Sequence, residues 1–243
     1  MCRMILAAGK FEMKPLLDGL VLMAEDRNER HEENAHSIFK HPDGWSIAYK
    51  KKNQLEIYKS VKPCFSDEKL TEFESLKSPF VVLHARQATV GNTTYHNVHP
   101  FCDQFSQKMY TFFHNGTVRE ELPISPEYHP KGSTDSERLF YYLLSQFEMD
   151  SAIPSYKSAL NRLKNYSALN SFFCTADQTF VVNAHSKSPQ YYTMKYSVDS
   201  DSIIISSEIL PGLAQRNWEP LINRSFIQIE HSANIPTLTI DSL

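Results

Sequence analysis

At 243 residues and 28.0 kDa the chain fits one large domain or two small ones. Its 41% hydrophobic and 22% charged residues are the proportions expected of an ordinary soluble globular protein. A net charge of −3 gives no reason to expect nucleic acid or an anionic membrane as partner, and no apolar run approaches the roughly 20 residues of a membrane span.

The start, "MCRMILAAGKFEMK", has too short an apolar stretch for a signal peptide, broken by Lys10 and Glu12, so a cytoplasmic protein is expected. Next, "PLLDGLVLMAED" spaces its apolar residues as a helix does, with Pro15 near its start. "WSIAYKK" and "LEIYKSV" flank "KN" and predict a hairpin. "FVVLHAR" and "MYTFFHN" read as strands. "STDSERLFYYLLSQF" reads as a helix with Ser133, Thr134 or Asp135 as N-cap, and "SYKSALNRLKNY" as another. Five more strands are expected at "SFFCTA", "TFVVNAH", "QYYTMKY", "SIIISS" and "SFIQIE". Several of these runs are apolar throughout rather than alternating, which implies sheets covered on both faces. Many antiparallel strands and a few helices predict an α+β fold, with sheets packed between helical layers. No Pro/Gly/Ser-rich linker interrupts the chain, so a single domain over residues 1–243 is expected.

The four cysteines are scattered, without a CxxC pair, so neither a zinc ribbon nor a disulfide framework is expected. Cys64, Cys102 and Cys174 read as small buried or half-buried side chains. Cys2 differs by position alone: removal of Met1 would give it a thiol and a free α-amine together.

Polar residues cluster where apolar strands end: His84 and Arg86, then His114, Asn115 and Gly116, then "GSTDSE" at a helix start, then Ser206, Ser207 and Glu208. Such ends are where binding groups gather, and four in one chain suggest a shared site. Arg86 offers a planar fork for a carboxylate and Asp135 an acceptor for an ammonium, so together they would read the head of an amino acid. Asn115 and Gly116 can form an oxyanion hole, although Asn-Gly is also the commonest hairpin turn.

In this order "MCRM", "HARQATVG", "NVHPF", "HNG", "PKGSTDSE" and "SSE" resemble the class II glutamine amidotransferases, a group of N-terminal-nucleophile hydrolases. "HPDGWSIAY" is similar to the "DGWG" segment of their stand-alone branch, which includes γ-glutamyl hydrolases. The motifs run from Met1 to about Glu208. The resemblance implies a four-layer αββα sandwich of two mostly antiparallel sheets. It implies Cys2 as nucleophile, Asn115 and Gly116 as oxyanion hole, and Arg86, Thr89 and Asp135 as the binding site for the glutamine α-carboxylate and α-amine. His99 would belong to a structural loop. Ser46 departs from the last glycine of "DGWG", and Val90 stands where some members carry histidine.

A free thiol titrates near ~8.5 and an α-amine near ~7.7–8.0, so the amine can take the thiol proton without a histidine. The expected reaction is hydrolysis of the γ-glutamyl amide of glutamine or a small γ-glutamyl compound through a Cys2 thioester, releasing glutamate and ammonia or an amine. No cofactor and no metal is expected, and the partner is a small molecule; a homodimer or a separate acceptor subunit is left open. Two rivals keep the fold: a catalytically degenerate binding or regulatory subunit, and a glutaminase subunit supplying ammonia to a separate synthase. A third, metal-dependent hydrolysis, would rest on His84, His99 and His114, which lack HxH or HExxH spacing.

Overall fold

In chain order the elements are β1 (Cys2–Gly9), α1 (Met13–Ala24), β2 (Trp45–Lys51), β3 (Gln54–Ser60), β4 (Phe80–Arg86), β5 (Phe101–Phe105) and β6 (Lys108–Val118). Then follow α2 (Asp135–Gln146), α3 (Ala152–Asn161), β7 (Tyr166–Cys174), β8 (Gln178–Asn183), α4 (Pro189–Tyr192), β9 (Lys195–Val198), β10 (Ser202–Ser206), β11 (Glu219–Pro220), β12 (Ser225–Glu230) and β13 (Thr237–Ser242). This computed structural model describes residues 1–233 and 235–243. The strands form two sheets, ordered β11-β9-β10-β1-β4-β2-β3 and β13-β12-β8-β7-β6-β5. All pairings between these strands are antiparallel.

Side-chain alternation explains the apolar strands. On β1, Met4, Leu6 and Ala8 pack between the sheets against Phe113 of β6 and Phe172 of β7. Ile5 and Ala7 face the other way, onto Leu16, Leu17 and Leu20 of α1. On β6, Phe113 points between the sheets while Phe112 packs with Leu139 and Phe140 of α2. Each central strand thus buries both faces, giving four layers: α1, two sheets, then α2 and α3. This is the α+β sandwich expected from the sequence. Burying one such Leu, Ile or Phe side chain contributes about 1.5–3 kcal/mol.

Two local readings are corrected and one open alternative is closed. "QYYTMKY" is not one strand: Pro189 opens the short helix α4 after Ser188 at φ 46, and only β9 beyond it is extended. Asn115-Gly116 lies within β6 rather than in a turn. Cys102 is exposed on the edge strand β5, whereas Cys64 and Cys174 are buried as expected. The sequence reading omits β1, β5, β11 and β13.

Candidate active site

The alternation that builds the core also builds the site. Cys2 shares a face with Met4 and Leu6, and so points into the seam between the sheets at one end of the sandwich. On the neighbouring β4, Cys2 pairs with Arg86 and Met4 with His84. His84 and Arg86 fall in step with Val82, which is in the inter-sheet core. From the opposite sheet, Asn115 falls in step with Phe113. Residues 113 apart in sequence thereby meet: the Cys2 N–H donates to Asn115 Oδ1 at 2.7 Å. With its oxygen committed there, the Asn115 amide turns its NH2 away, available as a donor.

Gly116 allows close approach of β6 to β7. A Cβ there would lie 1.9 Å from the Ala168 carbonyl oxygen. The β6–β7 register shifts immediately after it, between Gly116 and Val118. Asp135 Oδ2 accepts the Val118 N–H at 2.7 Å and so ties the start of α2 to this irregularity. Thr134, not Asp135 or Ser133, is the N-cap: its hydroxyl accepts from the Glu137 N–H at 3.1 Å. The Glu137 carboxylate in turn accepts from the backbone N–H groups of Lys131 and Gly132, at 2.9 and 2.7 Å.

Arg86 is only 2% exposed. Its guanidinium donates to the backbone carbonyls of Asp43, Val90, Gly91 and Asn92, at 3.1 to 3.5 Å. No carboxylate among the described residues pairs with it. A buried cation held by carbonyls alone is suited to an incoming anion. Thr89 is exposed beside it, with its hydroxyl 3.2 Å from that of Thr117. Met1 extends the β1–β4 ladder by one residue: its amine donates to Gln87 O and its carbonyl accepts the Gln87 N–H, both at 2.8 Å. Met1 lines the small recess that holds Cys2, Arg86, Thr89, Gly116 and Asp135. It also lines the adjoining cleft of about 410 Å³, which Arg119 and Lys187 rim.

Two expected members are elsewhere. His114 faces away from the seam, with Nδ1 2.8 Å from Ser136 Oγ of α2, so the histidine trio does not assemble. Cys2, His84 and His99 come together instead, their ligand atoms within 4.8 Å of one another. Burial lowers His84 to about 3 and His99 well below its ordinary value, so neither is a base for the thiol near neutral pH. Burial also pushes Cys64 and Cys174 up to about 12, removing both as nucleophiles. The "SSE" residues support the site from beneath rather than lining it. Ser207 Oγ accepts the Met4 N–H at 2.9 Å, and Glu208 Oε1 lies 2.6 Å from Arg3 Nη2.

A support that the sequence reading missed is Tyr191 of α4. Its hydroxyl donates to the Cys2 carbonyl at 3.1 Å, and its ring lies 4.0 Å under the Arg3 guanidinium. His41 Nε2 lies 3.1 Å from the same hydroxyl. No local motif could have revealed this, because Tyr191 and Cys2 meet only in the folded chain.

The sequence signature described as "Glutamine amidotransferases class-II" matches residues 30–175, more than half of the chain. The chain belongs to the class-II glutamine amidotransferases. The matched segment holds Arg86, Thr89, Asn115, Gly116 and Asp135 and begins beyond Cys2. Among similar proteins, YafJ of Escherichia coli K12, named as a candidate glutamine amidotransferase, is 34% identical over 107 residues, which are 43% of this chain and 42% of YafJ. MJ1515 of Methanocaldococcus jannaschii, an uncharacterized protein, is 38% identical over 114 residues, 44% of this chain and 31% of that one. The matches thus span less than half the length of either relative. In fold, the chain is similar to the glutamine phosphoribosylpyrophosphate amidotransferase of B. subtilis, with a TM-score of 0.67 and 16% identity over 99% of this chain and 49% of that one. A class-II domain protein from Silicibacter pomeroyi gives a TM-score of 0.61 and 18% identity, with 100% of each chain covered.

Proposed function

We propose that the chain, once Met1 is removed, hydrolyses the γ-glutamyl amide bond of glutamine or a small γ-glutamyl compound through a thioester on Cys2. The observation that carries this reading is the meeting of Cys2 with Asn115 and with the buried, acid-free Arg86 at one end of the inter-sheet seam. Arg86 receives the substrate α-carboxylate, Thr89 supports it, and the Asp135 carboxylate accepts from the α-ammonium. The δ-carbonyl is then held over the sulfur.

Cys2 Sγ attacks that carbon as its proton passes to the Cys2 α-amine. The carbonyl electron pair moves onto oxygen, which Asn115 Nδ2–H and the Gly116 backbone stabilise. Removing one such donor typically costs about 10²–10³ in rate. Collapse re-forms the carbonyl and expels the amide nitrogen, which takes the proton from the amine and leaves as ammonia or an amine. A water then gives a proton to the α-amine and attacks the thioester. Glutamate leaves, and the proton returns to sulfur.

Met1 retention opposes this in two ways: it converts the base into an amide, and its backbone and side chain line the recess the substrate needs. Arg119 and Lys187 at the rim of the larger cleft favour leaving groups that carry negative charge, such as peptides ending in a carboxylate. The test is glutamate release from glutamine and from γ-glutamyl dipeptides by processed and Met1-retaining protein. Turnover by the processed form alone, abolished in Cys2→Ser, is expected. Equal turnover by both forms, or by Cys2→Ser, would overturn the reading.

A further inference from the structure

Beside the proposed nucleophile lies a group of polar atoms that the hydrolytic reading does not use. His99 is 2% exposed, and neither of its ring nitrogens has a hydrogen-bond partner. A neutral imidazole carries one N–H and one lone pair, so a donor and an acceptor are both buried unmet. Each such vacancy leaves a desolvated polar group uncompensated. His84, its ring centroid 4.2 Å from that of His99, leaves Nδ1 unpartnered while Nε2 lies 3.4 Å from the His114 carbonyl. Ser46, which pairs with His84 across β2 and β4, also has a buried hydroxyl without a partner. Orphaned polar atoms gathered at one point call for an occupant.

We infer that Cys2, His84 and His99 form a binding site for a borderline-soft divalent cation such as Zn²⁺, and that its occupation reversibly silences the enzyme. The ligand atoms of the three side chains lie within 4.8 Å of one another. Tetrahedral zinc with sulfur at ~2.3 Å and nitrogen at ~2.0–2.1 Å needs ligand-to-ligand distances of about 3.3–3.6 Å. The site therefore closes by a contraction of about an ångström, within the reach of side-chain rotation. The donor set of one thiolate and two imidazoles is the one zinc prefers. His84 also has the second contact such ligands usually make: Nε2–H toward the His114 carbonyl orients the ring and leaves the Nδ1 lone pair for the metal.

The fourth ligand is supplied by processing. After loss of Met1, the Cys2 α-amine and thiolate close a five-membered chelate ring on the cation. Binding displaces the thiol proton to solvent, and the metal then holds both the sulfur that attacks and the nitrogen that takes its proton. Inhibition rests on the proposed role of Cys2; metal binding does not.

The test is titration of processed protein with Co²⁺, followed by competition with Zn²⁺. One equivalent of Co²⁺ should produce a thiolate-to-cobalt charge-transfer band with four-coordinate visible bands, both erased by Zn²⁺. Cys2→Ser should lose the charge-transfer band. His99→Ala should bind about tenfold or more weakly, as should Met1-retaining protein. Cys102→Ser should bind like the wild type. Glutamate release should fall as Zn²⁺ binds and return with a chelator. Should His99→Ala fail to fold, the wild-type cobalt spectrum decides alone. Absence of a thiolate band in folded processed protein, or unchanged affinity in folded His99→Ala, would overturn the metal site and leave the hydrolytic reading intact. Cobalt binding through Cys2 in a protein that turns over no γ-glutamyl substrate would overturn the hydrolytic reading and retain the site.

Discussion

Arg86 is the side chain whose chemistry is most constrained by its surroundings. It is a buried cation whose hydrogen-bond acceptors are backbone carbonyls, and a hydrogen bond to a charged group contributes about 1.5–3 kcal/mol. Arg86→Ala should therefore lower kcat/KM for glutamine by on the order of 10²-fold. The same change should matter far less for a substrate analogue lacking the α-carboxylate. Steady-state kinetics on both substrates check this; equal losses on the two would mean that Arg86 does not read that group. Gly116 is constrained differently, by sterics. A methyl group placed 1.9 Å from the Ala168 carbonyl forces β6 and β7 apart. Gly116→Ala should lose about 1–3 kcal/mol in urea unfolding and most of its turnover; unchanged values for both would contradict the packing. At this scale the sequence was informative where residue type implies chemistry: Cys2, Arg86, Asn115, Gly116 and Asp135 were named from type and order and do converge in space. His99 is named only as a loop residue and as one of the metal rival's three histidines, and Tyr191 not at all, because a loop histidine and a tyrosine in an aromatic run carry no signal of what the fold brings beside them.

Among elements, strand β1, which carries Cys2, is held from below by an arrangement that reaches the end of β10 and α4. Arg3 points into a buried pair with Glu208, just past β10, and lies over Tyr191 of α4, whose hydroxyl reaches the Cys2 carbonyl. Removing one partner of a buried pair strands the other charge and costs about 3–5 kcal/mol. Glu208→Ala should show that loss by denaturant titration, and a loss below about 1 kcal/mol would mean that the pair does not brace the strand. Tyr191→Phe is the gentler change: it keeps the ring under Arg3 and deletes the hydroxyl contacts to the Cys2 carbonyl and His41, so kcat should fall more than stability. Element types were legible where β-branched and aromatic residues run together or alternate, as in β4, β12 and the β2–β3 hairpin. They failed at α4, where Tyr191, Tyr192 and Thr193 suggest a strand but Pro189 opens a helical turn. They failed again at β1, where Cys2 to Gly9 carries Ile5 as its only β-branched residue and becomes a strand because β4 and β10 flank it.

Across the whole molecule, buried histidines make stability depend on pH. Burial against Phe80, with Lys50 nearby, lowers His231 to about 4; burial and Arg3 lower His31 to about 4 as well. Unfolded histidine titrates near ~6.5. The fold therefore prefers the neutral rings, and their contribution is complete above about pH 6.5. It is lost as the pH falls from there through about 4, by on the order of 3 kcal/mol for His231. Urea midpoints should fall between neutral pH and about pH 4.5, and His231→Phe, which keeps the stacked ring, should flatten the fall. A midpoint indifferent to pH across that window would contradict the burial. The layered architecture itself was legible because apolar-throughout strands can only be explained by sheets covered twice. The seam that carries the site was not, since which strand ends meet across two sheets depends on long-range pairing that no local pattern encodes.

The central claim is that Cys2 is the nucleophile and the other thiols are not. Mass spectrometry of processed protein treated with a glutamine-like electrophile tests it most directly. The expected result is one adduct, on Cys2, slowed by glutamine and absent from buried Cys64 and Cys174, whose thiols stand near 12. An unmodified Cys2, or an adduct that forms equally on Cys102 and ignores glutamine, would contradict it.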